Sequence, residues 1–379
     1  MTKALEHINP VPLTLLAQAL ERTVSAAQTE AYRRFATGLG LFYDAGFSQE
    51  LEALKWLYYP FNPDRQVFPE DADVTTNRDE LLARIEALLQ QANFSRLDQT
   101  AIEAALNKTS PRGVEVSVDL SEFQQVLLYY CGDTTTTLEP SWWKRMLGAE
   151  PAVIPVYRRL FLLLQLQPED SRQPAPIHIK LFRDIPHSDL ETIFPNTKVK
   201  IRLIDKIKLA VTGGSGVATG IASALGKLTA AASPMGIASA IAALGGIIWK
   251  QIASVLTQRT EYMMQLARNL YFYNLDNNVG ALAYLVELAS TEEYKEALLA
   301  YTFLLDQPNL TETALDRRVE AFMADIFQVR MNYDVRDGLA KLEKLELLQR
   351  QEDKFQIVRP EAALVRLRDR WLALFPSDH

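Results

Sequence analysis

The chain has 379 residues, a formal net charge of −7 and a pI near 5.4. That is long enough for two or three cores, and an acidic balance argues against a nucleic-acid binder, which carries a basic face. A single cysteine, Cys131, excludes an internal disulfide and fits a reducing compartment.

Residues 1–110 read as a helical region. After Pro10 and Pro12, the apolar positions Leu13, Leu16, Ala17 and Leu20 recur at helical spacing. A second helical pattern runs from about Gln28 to Leu57 and stops at Tyr58-Tyr-Pro-Phe-Asn-Pro-Asp64, where two prolines fix an extended turn. Asn77 is expected to cap the next helix, which buries Leu81, Leu82, Ile85 and Leu88; Asp98 is expected to cap another around Ile102 and Leu106.

Residues 111–207 change to a strand period. Val114 to Val118, Ile177 to Leu181 and Lys198 to Leu203 alternate, while Val126 to Tyr130 and Val156 to Leu166 are continuous apolar runs. The short connections predict a mainly antiparallel sheet of about five strands. Ser188-Asp-Leu-Glu191 has the form of a capping box and predicts a short helix ending near Phe194-Pro195.

Residues 208–256 form the most apolar part of the chain. From Leu209 to Trp249 the only charge is Lys227, and Ser233-Pro234 marks a second helical start. The expectation is a glycine- and alanine-rich hairpin in a membrane, with both soluble parts in the cytoplasm, since the N-terminal stretch lacks a signal core. Each arm is near the short limit of about 17 residues for a span, so insertion would depend on close helix pairing. Gly216, Gly220 and Ala224 on one arm, and Gly236, Ala240 and Gly246 on the other, supply the small-residue faces for it. Trp142, Trp143, Lys206, Lys208, Trp249 and Lys250 are the candidate interfacial residues. A competing reading makes Gly214, Gly216 and Gly220 a dinucleotide-binding loop. Its context fails, because no second strand with an acidic residue follows at the required distance.

Residues 257–310 read as further helices, from Gln251 to Leu275, Ala281 to Leu288 and Glu292 to Leu305. Residues 311–379 read as a winged-helix-like module: two helices, a strand pair around Glu352-Asp353, and a closing helix from Pro360 to Phe375. Acidic and basic residues are nearly balanced in it, which favours a protein contact over DNA. The fold class expected is α+β: a helical N-terminal region, a mainly antiparallel sheet, a transmembrane hairpin, and C-terminal helices with the winged-helix-like module.

Several segments together carry a family resemblance: Leu54-Lys55-x-x-Tyr58-x-Pro60-Phe61-x-Pro63-Asp64, Gln91-Ala-Asn-Phe94, Val118-Asp119-Leu120-x-x-Phe123, Leu181-Phe-Arg-Asp-Ile-Pro186, Phe194-Pro195-x-Thr197-Lys198-Val199-Lys200 and Trp371-x-x-x-Phe375. In this order they resemble the uncharacterised transmembrane protein 143-like family, domain of unknown function 3754. The resemblance implies a membrane-associated protein with two spans and supplies no activity. The chain departs from the pattern at Cys131-Gly132, where an arginine is expected before the glycine.

No catalytic, cofactor or metal residue is assigned from the sequence. His178 and His187 flank Asp184 and Asp189, but His178 alternates on a strand, and neither an HExxH nor a paired-cysteine spacing occurs. A G-x-S-x-G elbow is likewise missing. The partners expected are membrane lipid, a second copy through the hairpin and a protein at the C-terminal module, with no nucleic acid. The function expected is a membrane-anchored, non-enzymatic scaffold or interaction protein, with nucleotide binding and a soluble winged-helix adaptor as alternatives.

Overall fold

In the computed structural model the described residues are 9–67, 74–98, 115–138, 150–167, 174–195, 198–200 and 271–373, with a few single positions between them. The chain divides into two units. One comprises Met1–Leu97, Phe123–Asp184 and Leu275–His379; the other comprises Asp98–Glu122 and Ile185–Asn274.

The first unit contains helices α1 (Leu13–Glu21), α2 (Thr29–Tyr58) and α3 (Val74–Gln91) before its sheet, and α4 (Asn278–Asp306), α5 (Glu312–Phe327), α6 (Val335–Lys344) and α7 (Pro360–Ala373) after it. The strands are β1 (Ser95–Arg96), β3 (Phe123–Leu138), β4 (Ala152–Leu166), β5 (Ile177–Pro186) and β7 (Asn274–Asn277), hydrogen-bonded in the order β1-β3-β4-β5-β7. The long β3–β4 ladder is antiparallel, as is β1–β3. Within β3, Gly132 takes φ +78, and an added Cβ would lie 2.8 Å from Cβ of Arg158, so this strand needs glycine there. In the second unit, β2 (Glu115–Ser117) and β6 (Lys198–Lys200) form a separate antiparallel pair, and His187–Ile193 is a 3-10 turn.

Two apolar clusters hold the first unit together. The first gathers Leu16 and Leu20 of α1, Tyr32, Phe35 and Leu39 of α2, the second half of α4, and apolar residues of α5, α6 and α7. The second gathers Leu54, Leu57 and Tyr58 of α2, Leu81, Ile85, Leu88 and Leu89 of α3, the inner face of the sheet, and Ala281 to Ala289 of α4. Helices α2 and α4 therefore each serve both clusters, and their middle turns lie between them. The i, i+3, i+4 spacing of Tyr32, Phe35, Ala36 and Leu39 explains the first contact face of α2. Phe35 stacks on Tyr301 with ring centroids 3.9 Å apart, and the Tyr32 and Thr302 hydroxyls are 2.7 Å apart.

The Tyr58-to-Asp64 motif is a joint. The Tyr58 hydroxyl donates to the carbonyl of Ile177 at 2.7 Å, while the Asn278 amide donates to Asp64 at 2.8 Å. Asn278 Oδ1 in turn accepts from the backbone of Ile179 at 3.2 Å. The motif thus ties the end of α2 to β5 and to the start of α4.

Several expectations are corrected. The hairpin at 208–256 lies outside the described residues, and so do its packing positions Gly216, Gly220, Ala224, Gly236, Ala240 and Gly246. The same holds for Trp142, Trp143, Lys206, Lys208, Trp249 and Lys250, and for the glycine loop Gly214, Gly216 and Gly220. Among the described residues no helix is long and apolar enough to cross a membrane, so the transmembrane fold reading is withdrawn. The long helix α4 illustrates why: it is largely buried, yet Glu287, Glu292, Glu293, Lys295 and Glu296 break its apolar run.

Residues Ala281 to Leu305 form one helix rather than two, as the Glu292 region is buried and packed instead of forming a break. Asn77 lies inside α3, three residues after its start. Ser188 does not cap a helix: its hydroxyl turns to Asp189 at 3.0 Å. Residues near Leu275, expected at a helix end, form the edge strand β7. The last helices are not free-standing, because Leu315, Val319, Leu339, Leu342 and Leu367 join the same cluster as α1, α2 and α4.

Candidate functional site

Where the middle turns of α2 and α4 meet α6, the structure places an unusual set of charges inside the first unit. Lys341 of α6 directs Nζ at Glu293, at 3.1 Å, and at Glu296, both on α4; it also meets Asp337, one turn earlier on its own helix, at 2.6 Å. The side chains of Lys341 and Glu296 are only 7% and 4% exposed, so these charges are largely out of water. Asn93, just beyond α3, adds a donor to Glu296 at 2.8 Å.

Sequence explains how α6 comes so close. Asp334 caps the helix, its carboxylate accepting from the backbone of Asp337 at 3.2 Å. Gly338 then faces α4: a Cβ there would be 3.2 Å from the carbonyl oxygen of Glu296 and 2.2 Å from the Tyr333 hydroxyl. Tyr333, in the turn before α6, donates to that same carbonyl at 2.8 Å. Lys341 follows Gly338 by three residues, on the same helix face.

Electrostatics at this cluster are set by burial and by the shared cation. Burial pushes the Glu296 carboxyl up to about 8, against the opposing pull of Lys341. Burial likewise raises Glu293, again opposed by Lys341. Asp337 moves the other way: burial alone would raise it, but hydrogen bonds with Glu296 and Lys341 hold it below its ordinary value. Burial works against the charge of Lys341, yet Glu296 and Glu293 outweigh it and keep the ammonium protonated. Near neutral pH Glu296 therefore keeps a proton that it shares with Asp337, beside the Lys341 ammonium.

Glu293, Glu296 and Asp337 each bring one oxygen within 4.8 Å of the others, close enough to hold a metal ion. Lys341 already supplies the cation those oxygens require. None of these residues was singled out in the sequence. The legible signal is the run Glu292-Glu293-x-Lys295-Glu296 between the apolar stretches 281–286 and 297–305, paired with Asp337 and Lys341 at i, i+4.

Beside the cluster opens a cavity of about 680 Å³. Phe42, Tyr43, Gly46 and Phe47 of α2 form one wall, and Ala87 and Leu88 of α3 form another. Glu293 and Lys341 join it from the cluster, with Leu345 following α6. Its remaining charges are Glu50, Arg84, Lys344 and Arg370. Burial, and then the Glu293 charge, keep the Tyr43 hydroxyl protonated. At Gly46 an added Cβ would meet nothing within 4 Å, so the glycine widens the cavity.

Residues 148–280 match the family model described as protein of unknown function DUF3754. The match spans β4, β5 and β7 and ends at the first turn of α4, short of every cavity residue. It supports the resemblance to an uncharacterised family that the motifs suggest. No solved structure matches the chain.

The histidine candidates stand apart from the cluster. His178 lies on β5, its imidazole pKa lowered by burial and then by Lys180, and His187 opens the 3-10 turn of the second unit. Cys131 is a buried thiol beside the carbonyl of Ala92, at 3.9 Å, which is a core setting.

Proposed function

We propose that this chain is a binding protein that holds a small, largely apolar molecule in the cavity between α2, α3 and α6. The observation that carries the reading is the cavity itself: about 680 Å³, walled by Phe42, Tyr43, Phe47, Ala87 and Leu88, with a few convergent polar groups. Pockets for organic ligands have this size and composition, of roughly 300–1,000 Å³ and mainly apolar lining, and perturbed carboxyls commonly gather at them. The reading favours binding over catalysis because Glu293 and Lys341, the strongest candidate acid and base on the wall, are committed to each other. The finer family assignment, to the transmembrane protein 143-like proteins, belongs to the same proposal and rests on the order of the quoted motifs.

Titration with a neutral apolar fluorophore such as N-phenyl-1-naphthylamine tests it. Wild type should give saturable enhancement, and Gly46→Leu, which fills open space rather than a packed contact, should abolish it while the protein remains folded. Equal enhancement in both proteins would overturn the assignment of the cavity as the binding site.

A further inference from the structure

The cavity's charges carry the reading one step further, to the chemical class of the ligand, and this step rests on the binding function proposed above. Four cations line the space, Arg84, Lys341, Lys344 and Arg370, against two carboxylates, Glu50 and Glu293. The cations differ in how far they are already committed. Arg84 is clamped between Glu50 and Glu80, each at 2.8 Å. Lys341 is surrounded by Glu293, Glu296 and Asp337. Among the described residues Arg370 pairs with Glu346, a carboxylate 70% exposed to solvent, and such a pair is weakly held and readily exchanged. Lys344, at the end of α6 and two residues before the Glu346 that pairs with Arg370, also lines the cavity, is exposed, and its charge acts on Glu293.

We infer that the ligand is an organic acid, its apolar body against Phe42, Tyr43 and Phe47 and its anionic head between Lys344 and Arg370. An acid head entering an apolar cavity needs a cationic partner to offset its lost hydration, and these two side chains provide it. A hydroxyl head gains one ordinary hydrogen bond there. An ammonium head is repelled by Lys344 and Arg370 at that place, and the carboxylates on the cavity wall, Glu50 and Glu293, are already paired. The order of affinity is therefore acid, then alcohol, then ammonium.

Three probes of equal chain length separate the possibilities: dodecanoate, dodecanol and dodecyltrimethylammonium, each displacing the neutral fluorophore from the full chain below its micellar concentration. Dodecanoate should bind about tenfold more tightly than dodecanol, the usual gain of a charged hydrogen bond over a neutral one. Dodecyltrimethylammonium should be weakest. The double variant Lys344→Gln, Arg370→Gln should bring dodecanoate down to the affinity of dodecanol, and an unchanged urea midpoint shows that the variant is folded. If dodecanol matches dodecanoate, or the ammonium binds best, the acid inference is overturned and the cavity reading stands. If none of the three displaces the fluorophore, the cavity reading fails with it.

Discussion

Lys341 Nζ lies 3.1 Å from a carboxylate oxygen of Glu293, and both side chains line the same cavity while being all but closed to solvent. One ion pair thus belongs at once to the core of the helical unit and to the wall of its cavity. Removing the cation takes from Glu293, Glu296 and Asp337 the partner that all three share. Lys341→Met should therefore lower unfolding stability by about 3–5 kcal/mol, the usual cost of stripping one partner from a buried pair. Urea unfolding at neutral pH measures it, and a loss below about 1 kcal/mol would show the cluster to be solvated rather than buried.

The pH dependence has a definite sign. Glu296 has a folded-state pKa of about 8 against an ordinary value of 4.5, so the folded protein holds the proton more tightly than the unfolded chain. Its contribution is fully present below pH 4.5 and is lost as pH rises through about 8. Glu293, also raised, acts in the same direction. The urea midpoint should fall between pH 5 and pH 9, and Glu296→Gln, which mimics the protonated acid, should flatten that fall. A midpoint that rises over the window, or an unchanged slope in the variant, would remove Glu296 as its source.

Two helical glycines should respond in opposite directions to alanine. At Gly46 the new methyl enters open space, so Gly46→Ala should stabilise by about 0.5–1 kcal/mol through its lower backbone entropy cost. At Gly338 the methyl would collide with the Tyr333 hydroxyl and break its hydrogen bond to the Glu296 carbonyl. Gly338→Ala should destabilise by about 1–3 kcal/mol. Thermal or urea unfolding of the two variants side by side checks both.

A second buried pair fixes the N-terminal segment. Lys295 Nζ lies 2.8 Å from Glu292 and donates to the carbonyl of Asn9 at 2.8 Å, while the backbone N–H of Asn9 donates to Glu292 at 3.2 Å. Lys295→Met should release the chain around Asn9 to Val11, and limited proteolysis should cut there faster than in wild type. Unchanged cleavage would mean that the burial of Val11 alone holds the segment.

Much of the fold is legible in the sequence, because it follows from local periodicity. Leu81, Ile85 and Leu88 announce the buried face of α3, and the alternation of Ile177, Ile179 and Leu181 announces β5. The five-stranded sheet is less legible: two of its strands, β1 and β7, have two and four residues and become strands only by pairing with a longer neighbour. The site is the least legible part. Apolar patterning does not foretell that Glu293 and Glu296 face a lysine some 45 residues later in the chain, because that contact depends on how closely Gly338 lets α6 approach α4. The low charge of residues 209–249 invited a membrane reading, since helices covered by lipid and helices covered by protein share an all-round apolar pattern.

The central claim, an apolar acid seated between α2, α3 and α6, is tested most directly by intermolecular NOEs in the complex with dodecanoate. The chain protons of the acid should show NOEs to the methyls of Ala87 and Leu88 and to the rings of Phe42 and Phe47, and Gly46→Leu should remove them. NOEs to other surfaces of the protein, or saturating binding without any to these four residues, would contradict the account.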